Sequence, residues 1–135
     1  MQKNSFVLDV NIWISHIIKH KLYELSDLVL ENELVVYRCK KLSDELFDVL
    51  HRPKHYKKTE SFIKEYIHLY HILTIDFPIY LNFIGCPDPK DNYLFDLAMQ
   101  SQADYLVTGD KTVLATPINP PPQIISFNKF REIFF

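Results

Sequence analysis

Glycine and cysteine are scarce in this chain of 135 residues, and each shortage excludes several classes of protein. The two glycines, Gly85 and Gly109, are too few for a GxGxxG dinucleotide loop, a phosphate-binding P-loop or a GxSxG nucleophile elbow. The two cysteines, Cys39 and Cys86, stand far apart and outside any CxxC pair, which excludes a zinc ribbon, a thioredoxin-type motif and a disulfide framework. We therefore expect two free, buried thiols.

Long hydrophobic runs and a surplus of basic residues are also absent. Asp9 interrupts the first apolar run before a signal peptide can form, and the longest uncharged stretch, residues 112–128, holds four of the eight prolines. We therefore expect a cytoplasmic protein without a membrane helix. The formal net charge is −2, without the basic excess typical of nucleic-acid binding. The hydrophobic content of 47% is enough for one core, so we expect a single domain over residues 1–135.

The chain does contain an alternation of apolar runs and helical patterns. Five short runs are continuously apolar, as strands covered on both faces are: residues 6–8, 34–37, 72–75, 105–108 and 123–126. Between most of these runs, apolar residues recur at helical spacing. Strands that alternate with helices predict a parallel sheet between helices, a three-layer α/β/α architecture.

Two aspartates follow apolar runs at the point where a parallel sheet binds ligands. Asp9 follows the first run and Asp110 follows the fourth, each directly before a helical pattern. Ligands of open α/β sheets bind outside the carboxyl ends of the strands. Each aspartate could instead cap the next helix by accepting its free N–H groups. The equivalent positions of the two favour a site, although the capping alternative stays open.

Helical phase brings two further acids toward the core. At about 100° per residue, Glu45 lies at the edge of the apolar stripe within residues 42–50. Asp91 shares a face with Leu94, whereas Asp96 points to the opposite side of the same helix. Glu45 could alternatively form a salt bridge or reach water past the edge of the core.

Asp91 has an alternative role at the start of its helix. In Asp88-Pro89-Lys90-Asp91, the first residue is predicted to be the N-cap and the proline the first helical residue. A carboxylate on an apolar face must be protonated, paired or bound to a metal. Four acids from separate elements at one sheet edge therefore favour a hard divalent cation such as Mg²⁺ or Mn²⁺.

Four segments around these acids occur in the order typical of a known family. They are Val7-Leu8-Asp9-Val10-Asn11, Leu42-Ser43-Asp44-Glu45-Leu46 followed by His51-Arg52-Pro53-Lys54, Asp88-Pro89-Lys90-Asp91-Asn92 and residues 103–111. In these segments the sequence resembles the PIN-domain family of metal-dependent nucleases, specifically the VapC-like toxins of toxin–antitoxin systems. The resemblance implies a five-stranded parallel sheet with helices on both faces. Val10 departs from the small hydroxyl residue common at its position.

The resemblance also implies roles for individual residues and partners. One or two Mg²⁺ or Mn²⁺ ions would be held by Asp9, Glu45, Asp91 and Asp110, with Asn11 and Thr108 as supporting polar residues. The implied reaction is hydrolysis of RNA phosphodiester bonds by metal-activated water. The implied partners are RNA, a cognate antitoxin and further copies of the chain in a homodimer or higher oligomer.

A basic segment after the second motif is a candidate track for the RNA backbone. It combines cations with an aromatic residue and contains no acid: Arg52, Lys54, Tyr56, Lys57 and Lys58. The alternative is a solvated loop between two helices. Neutralising the four candidate metal ligands would change the formal net charge from −2 to +2, so the global charge does not exclude RNA.

Two other functions fit parts of the pattern. A phosphatase of the haloacid-dehalogenase type also begins with an aspartate after its first strand, but it requires a second aspartate where this chain has Asn11. A nuclease domain that has lost catalysis could persist as a binding module, although four converging acids argue against that interpretation.

Overall fold

A computed structural model describes residues 4–134 and contains a five-stranded, all-parallel sheet. The strands are β1 (Ser5–Leu8), β2 (Val35–Arg38), β3 (Ile75–Asp76), β4 (Tyr105–Val107) and β5 (Gln123–Ile125). Their spatial order is β3-β2-β1-β4-β5. Residues 1–3 and 135 of the expected domain lie outside the described part of the chain.

Helices flank the sheet, so the expected α/β/α architecture is confirmed. They are α1 (Val10–Ile18), α2 (Leu22–Glu31), α3 (Lys40–Leu50), α4 (Pro53–Thr59), α5 (Ile63–Leu73), α6 (Asn92–Gln100), α7 (Lys111–Leu114) and α8 (Phe127–Phe134), with one 3₁₀ turn at Pro89–Asp91. Helix α6 packs against β1, β2 and β4. Helix α8 covers the face that carries Phe6, whose ring centroid lies 5.0 Å from that of Phe130.

The order of the strands reverses at β1, which pairs with β2 on one side and β4 on the other. The backbone N–H of Asp9 donates to the carbonyl of Val107 at 2.9 Å, and that of Thr108 donates to Ile125 at 3.0 Å. The carboxyl ends of β1, β4 and β5 are therefore level. A crevice at such a reversal is the usual ligand site of an open parallel sheet.

The third strand differs from its prediction over residues 72–75. Helix α5 continues to Leu73, and only Ile75 and Asp76 pair with β2. The residues of α5 that become buried include Tyr66, Tyr70 and Leu73, which share one helical face. A short apolar run cannot by itself distinguish the end of a buried helix from a strand.

The basic segment also differs from one of its interpretations. Residues 53–59 form helix α4 instead of the solvated loop considered above, with Pro53 in its first turn. Proline is favoured there because its missing N–H is not needed and its φ angle suits a helix. Helix α4 packs against α1 and α3.

Both cysteines are free and buried, as expected. Trp13 and Tyr70 are fully buried and meet edge to face, with ring centroids 4.9 Å apart. Within residues 4–134, no helix is both long and apolar enough to cross a membrane.

Candidate active site

Thr108 joins the acids that follow β1 and β4. Its buried hydroxyl donates to Oδ2 of Asp9 at 2.7 Å and accepts the backbone N–H of Asp110 at 3.0 Å. Asp9 itself is only 6% exposed, although it stands directly before α1. Burial raises the pKa of Asp9, the bond from Thr108 opposes that rise, and the charge of Glu45 adds to it. The two strand-end acids are thus connected through one side chain.

Asp110 caps the short helix α7, so the capping alternative holds for this residue. Its Oδ1 accepts the backbone N–H of Thr112 at 2.8 Å and the Thr112 hydroxyl at 2.7 Å. These two bonds keep the pKa of Asp110 below its usual value. The half-buried carboxylate is therefore held in its ionised form.

Asp88 precedes the 3₁₀ turn before α6, Asp91 is the last residue of that turn, and the two side chains have different environments. Asp88 is exposed and caps the turn, as expected, by accepting the N–H of Lys90 at 3.0 Å. Asp91 is half-buried. Burial raises the pKa of Asp91 to about 6, and the charges of Asp9, Asp110, Asp88 and Glu45 add to the rise. The acids of separate elements therefore act on one another at this edge of the sheet.

Glu45 remains exposed on α3, in contrast to the expectation that it faces inward. Its Oε2 accepts a hydrogen bond from the hydroxyl of Tyr93 at 2.7 Å. Tyr93 is buried near the start of α6, and Nζ of Lys41 lies 5.7 Å from its ring centroid. Burial and the bond to Glu45 raise the pKa of Tyr93, so its hydroxyl stays a donor. Sequence reasoning missed Tyr93, because no local pattern links it to a partner 48 residues earlier.

Asp96 corrects the expectation drawn from helical phase. Although it points away from the face of Asp91, it is 3% exposed because residues 80–84 fold back over it. Its carboxylate accepts the backbone N–H groups of Asn82 and Phe83 and the side-chain amide of Gln100. Asp96 therefore anchors the connection between β3 and α6.

The side chains of the remaining expected site residues are exposed. Asn11 is exposed in the first turn of α1. Arg52 forms a salt bridge with Asp48 at 3.2 Å, and both side chains are largely exposed. Tyr56 stacks on His51, with ring centroids 5.6 Å apart, which covers one face of the ring expected to stack on a base.

The lysines of the basic segment remain accessible. Lys54, Lys57 and Lys58 are exposed on α4.

The carboxylates of the candidate site are suitable ligands for a hard divalent cation, although the described residues contain no preformed cluster of metal ligands. Within residues 4–134, no three His, Cys, Asp or Glu side chains are gathered closely enough to hold a metal ion as they stand. Burial is the main cause of the raised pKa of Asp91, and the charges of the neighbouring carboxylates add to it, so a bound cation would relieve the uncompensated charge at this edge. Oxygen donors with excess negative charge are the ligands that Mg²⁺ and Mn²⁺ prefer.

Comparison with known proteins agrees with this architecture. A family model described as PIN domain matches residues 5–112. Among solved structures, the PIN domain of human SMG5 is similar, with a TM-score of 0.52 and 10% sequence identity over 97% of this chain and 99% of that chain. At this identity the likeness concerns the fold alone. No curated protein matches the chain.

Proposed function

Because the chain belongs to the PIN-domain family, we propose that it is a divalent-metal-dependent endoribonuclease. The observation that carries the proposal is the Thr108 hydroxyl, which bonds to the Asp9 carboxylate and to the Asp110 backbone. It brings the acids of two strand ends together where the strand order reverses. PIN domains are in general nucleases, which supports hydrolysis of a phosphodiester over other reactions at such an edge.

The proposed metal ligands are Asp9, Asp91 and Asp110, for one or two Mg²⁺ or Mn²⁺ ions. Glu45 is either a further ligand or the group that orients the attacking water. When bound, the metal would lower the pKa of a coordinated water and stabilise the charge that develops on the phosphate. Thr108 holds the carboxylate of Asp9, and Thr112 holds that of Asp110. Asn11 and Thr108 are the proposed supporting residues.

In the proposed reaction, water adds to phosphorus and the bond from phosphorus to the leaving ribose oxygen breaks. The leaving oxygen takes up a proton, so the reaction needs no protein nucleophile. The whole chain, residues 1–135, would act as one domain. The phosphate backbone of the bound RNA would contact Lys54, Lys57 and Lys58, with Arg52 and Tyr56 beside them.

The test of the catalytic site compares two aspartate variants with a matched surface variant. We expect Asp9→Asn and Asp110→Asn each to lower Mg²⁺- or Mn²⁺-dependent cleavage of single-stranded RNA by about 100-fold or more, because each removes a charged ligand. Asp27→Asn, on the exposed face of α2, is the control and should leave cleavage unchanged. Circular dichroism would show that all variants remain folded, and EDTA should abolish the wild-type activity.

The alternatives give different results in the same assays. Cleavage that survives both substitutions would overturn the proposed site. Release of phosphate from a generic monoester without RNA cleavage would indicate a phosphatase. RNA binding without hydrolysis, with every metal tried, would indicate a binding module.

We further propose that the protein is the toxin of a toxin–antitoxin pair and acts as a homodimer or higher oligomer in the cytoplasm. This proposal rests on the resemblance of the four sequence motifs to VapC-like toxins. Expression of the chain should arrest bacterial growth, and the product of an adjacent small reading frame should relieve that arrest. Growth arrest that Asp9→Asn does not abolish would contradict a toxin acting through this site. Light scattering of the purified protein measures the oligomeric state.

A further inference from the structure

Two side chains form hydrogen bonds with acids of the site. Thr108 joins the elements that carry Asp9 and Asp110, as described above. The other two acids, Glu45 and Asp91, come from α3 and from the 3₁₀ turn before α6. Tyr93 stands two residues after Asp91 and donates its hydroxyl to Oε2 of Glu45 at 2.7 Å. This bond crosses from α6 to α3, which pack against each other.

Glu45 needs such a partner because its surroundings do not fix it. Its side chain is exposed on α3, and an exposed glutamate samples many rotamers. Tyr93, in contrast, is 2% exposed, so its ring cannot change position without disturbing the core. The bond engages one oxygen of Glu45, and a carboxylate has several acceptor positions left for another partner.

Lys41 covers the ring of Tyr93 and lies four residues before Glu45 on α3. Its ammonium nitrogen is 5.7 Å from the ring centroid, within the range of a cation–π contact. The ring is therefore held to α3 by Lys41 as well as by Glu45. Packing alone would require only the aromatic ring at position 93, which phenylalanine would also supply. The hydroxyl of Tyr93 therefore has a role beyond packing, which is its bond to Glu45.

We propose that Tyr93 is a positioning residue that fixes the Glu45 carboxylate relative to Asp91 at the acidic edge of the sheet. The proposal rests on the proposed function, in which Glu45 is a metal ligand or orients the attacking water. Tyr93 itself would contact neither the metal nor the RNA. Its hydroxyl would act through Glu45 alone.

The main variant is Tyr93→Phe, which removes the hydroxyl and keeps the ring beneath Lys41. The matched control is Tyr70→Phe, because Tyr70 is also buried and its hydroxyl also bonds to α3, at Ser43 over 2.9 Å. Both variants lose one hydrogen bond from a buried tyrosine to the same helix, but only the first loses contact with Glu45. Glu45→Asp is a second variant, since it keeps the charge and shortens the side chain out of reach of Tyr93.

The first readout is binding of Mn²⁺ alone, measured by calorimetry. We expect Tyr93→Phe and Glu45→Asp to weaken Mn²⁺ binding by about 10-fold or more, as the loss of hydrogen bonds to metal-site carboxylates commonly does, whereas Tyr70→Phe should leave it unchanged. In a Glu45→Ala background, which lacks the acceptor, Tyr93→Phe should have no further effect. An equal effect of Tyr93→Phe and Tyr70→Phe, or an undiminished effect without the Glu45 side chain, would overturn the proposal.

The second readout is RNA cleavage as a function of Mn²⁺ concentration. Tyr93→Phe should raise the Mn²⁺ concentration for half-maximal cleavage and leave the KM for RNA nearly unchanged. Wild-type protein that binds Mn²⁺ in a Tyr93-dependent manner but cleaves no RNA would refute the proposed function and retain the positioning role. If the wild type cleaves RNA and Tyr93→Phe cleaves it equally well, the proposed function is supported and the positioning role of Tyr93 is refuted. If the wild type neither binds Mn²⁺ nor cleaves RNA, both the function and the positioning role are refuted.

Discussion

At the scale of the residue, the acids of this edge differ in what stabilises their charge. Asp110 receives two hydrogen bonds from Thr112, and the pKa of its carboxyl is lowered. Asp91 is half-buried among like charges, and its pKa is raised to about 6. The ionised form of Asp91 is therefore the one that destabilises the folded chain when no cation is bound.

The raised pKa of Asp91 makes the stability of the metal-free protein depend on pH. The unfolded chain has the usual aspartate pKa near 3.8, so the folded chain holds this proton more tightly. The resulting stabilisation is fully present below the unfolded pKa and is lost as the pH rises through about 6. We expect the stability of the Asp91→Asn variant to depend less on pH between about 4 and 6 than that of the wild type. At pH 7 the variant should unfold at a higher temperature than the wild type.

Thermal unfolding in EDTA at a series of pH values measures this effect. Asp27→Asn serves as the exposed control and should follow the wild type. Addition of Mn²⁺ at pH 7 should stabilise the wild type and have a smaller effect on Asp91→Asn, which lacks the charge. If the unfolding temperatures of the wild type and of Asp91→Asn depend on pH in the same way, the ionised form of Asp91 does not destabilise the folded chain.

At the scale of the element, the connection from β3 to α6 is held by side chains of α6. Gln100 donates to the carbonyl of Tyr80 and accepts its N–H, Phe83 stacks on Phe95 at 4.6 Å, and Asp96 accepts two backbone N–H groups. These contacts explain how an irregular segment covers a helix face that carries a charge.

We expect Asp96→Asn to lower the free energy of unfolding by about 1–3 kcal/mol. The substitution keeps the shape but turns one acceptor into a donor that faces backbone N–H groups. Asp48→Asn is the matched control, because Asp48 is exposed and bonds only to the exposed Arg52 among its described contacts, and it should change stability by less than about 0.5 kcal/mol. Urea denaturation measures both, and equal effects would argue against Asp96 as the anchor of this segment.

Helix α4 provides the second prediction at this scale. Replacement of Lys54, Lys57 and Lys58 by glutamine should weaken binding of single-stranded RNA and reduce the dependence of log K on log salt by about 0.7 for each lost phosphate contact. Replacement of Lys19, Lys64 and Lys129 by glutamine removes the same number of charges from exposed positions outside α4 and is the charge control. Fluorescence anisotropy over a range of salt concentrations measures the slope, and an unchanged slope would remove α4 from the RNA path.

At the scale of the whole molecule, the net charge of −2 averages an acidic edge and an exposed basic helix. Without a divalent cation, the acidic edge repels a phosphate backbone. We expect RNA binding to be weak in EDTA and to strengthen when Ca²⁺, another cation that binds oxygen ligands, is added. Asp9→Asn should lose this dependence on Ca²⁺, whereas Asp27→Asn should keep it. Anisotropy at constant ionic strength measures the difference, and equal binding with and without Ca²⁺ would contradict it.

The sequence alone determined those features whose cause is local. Four strands were predicted within about one residue, since a continuous apolar run followed by a turn encodes a buried strand directly. The position of Asp9 and Asp110 after β1 and β4 followed from the same runs. The role of Asp88 as an N-cap followed from the proline after it.

The tertiary structure decided those features whose cause is a partner remote in the chain. Thr108 reaches Asp9 across 99 residues, Tyr93 reaches Glu45 across 48, and Asp96 is buried by a segment that its own helix does not contain. The length of β3 likewise depended on tertiary packing, because α5 continues to Leu73 and leaves only Ile75 and Asp76 to pair with β2. The periodicity of the sequence specifies which face of a helix or strand is apolar. The order of the strands and the packing of the helices determine which remote residues that face contacts.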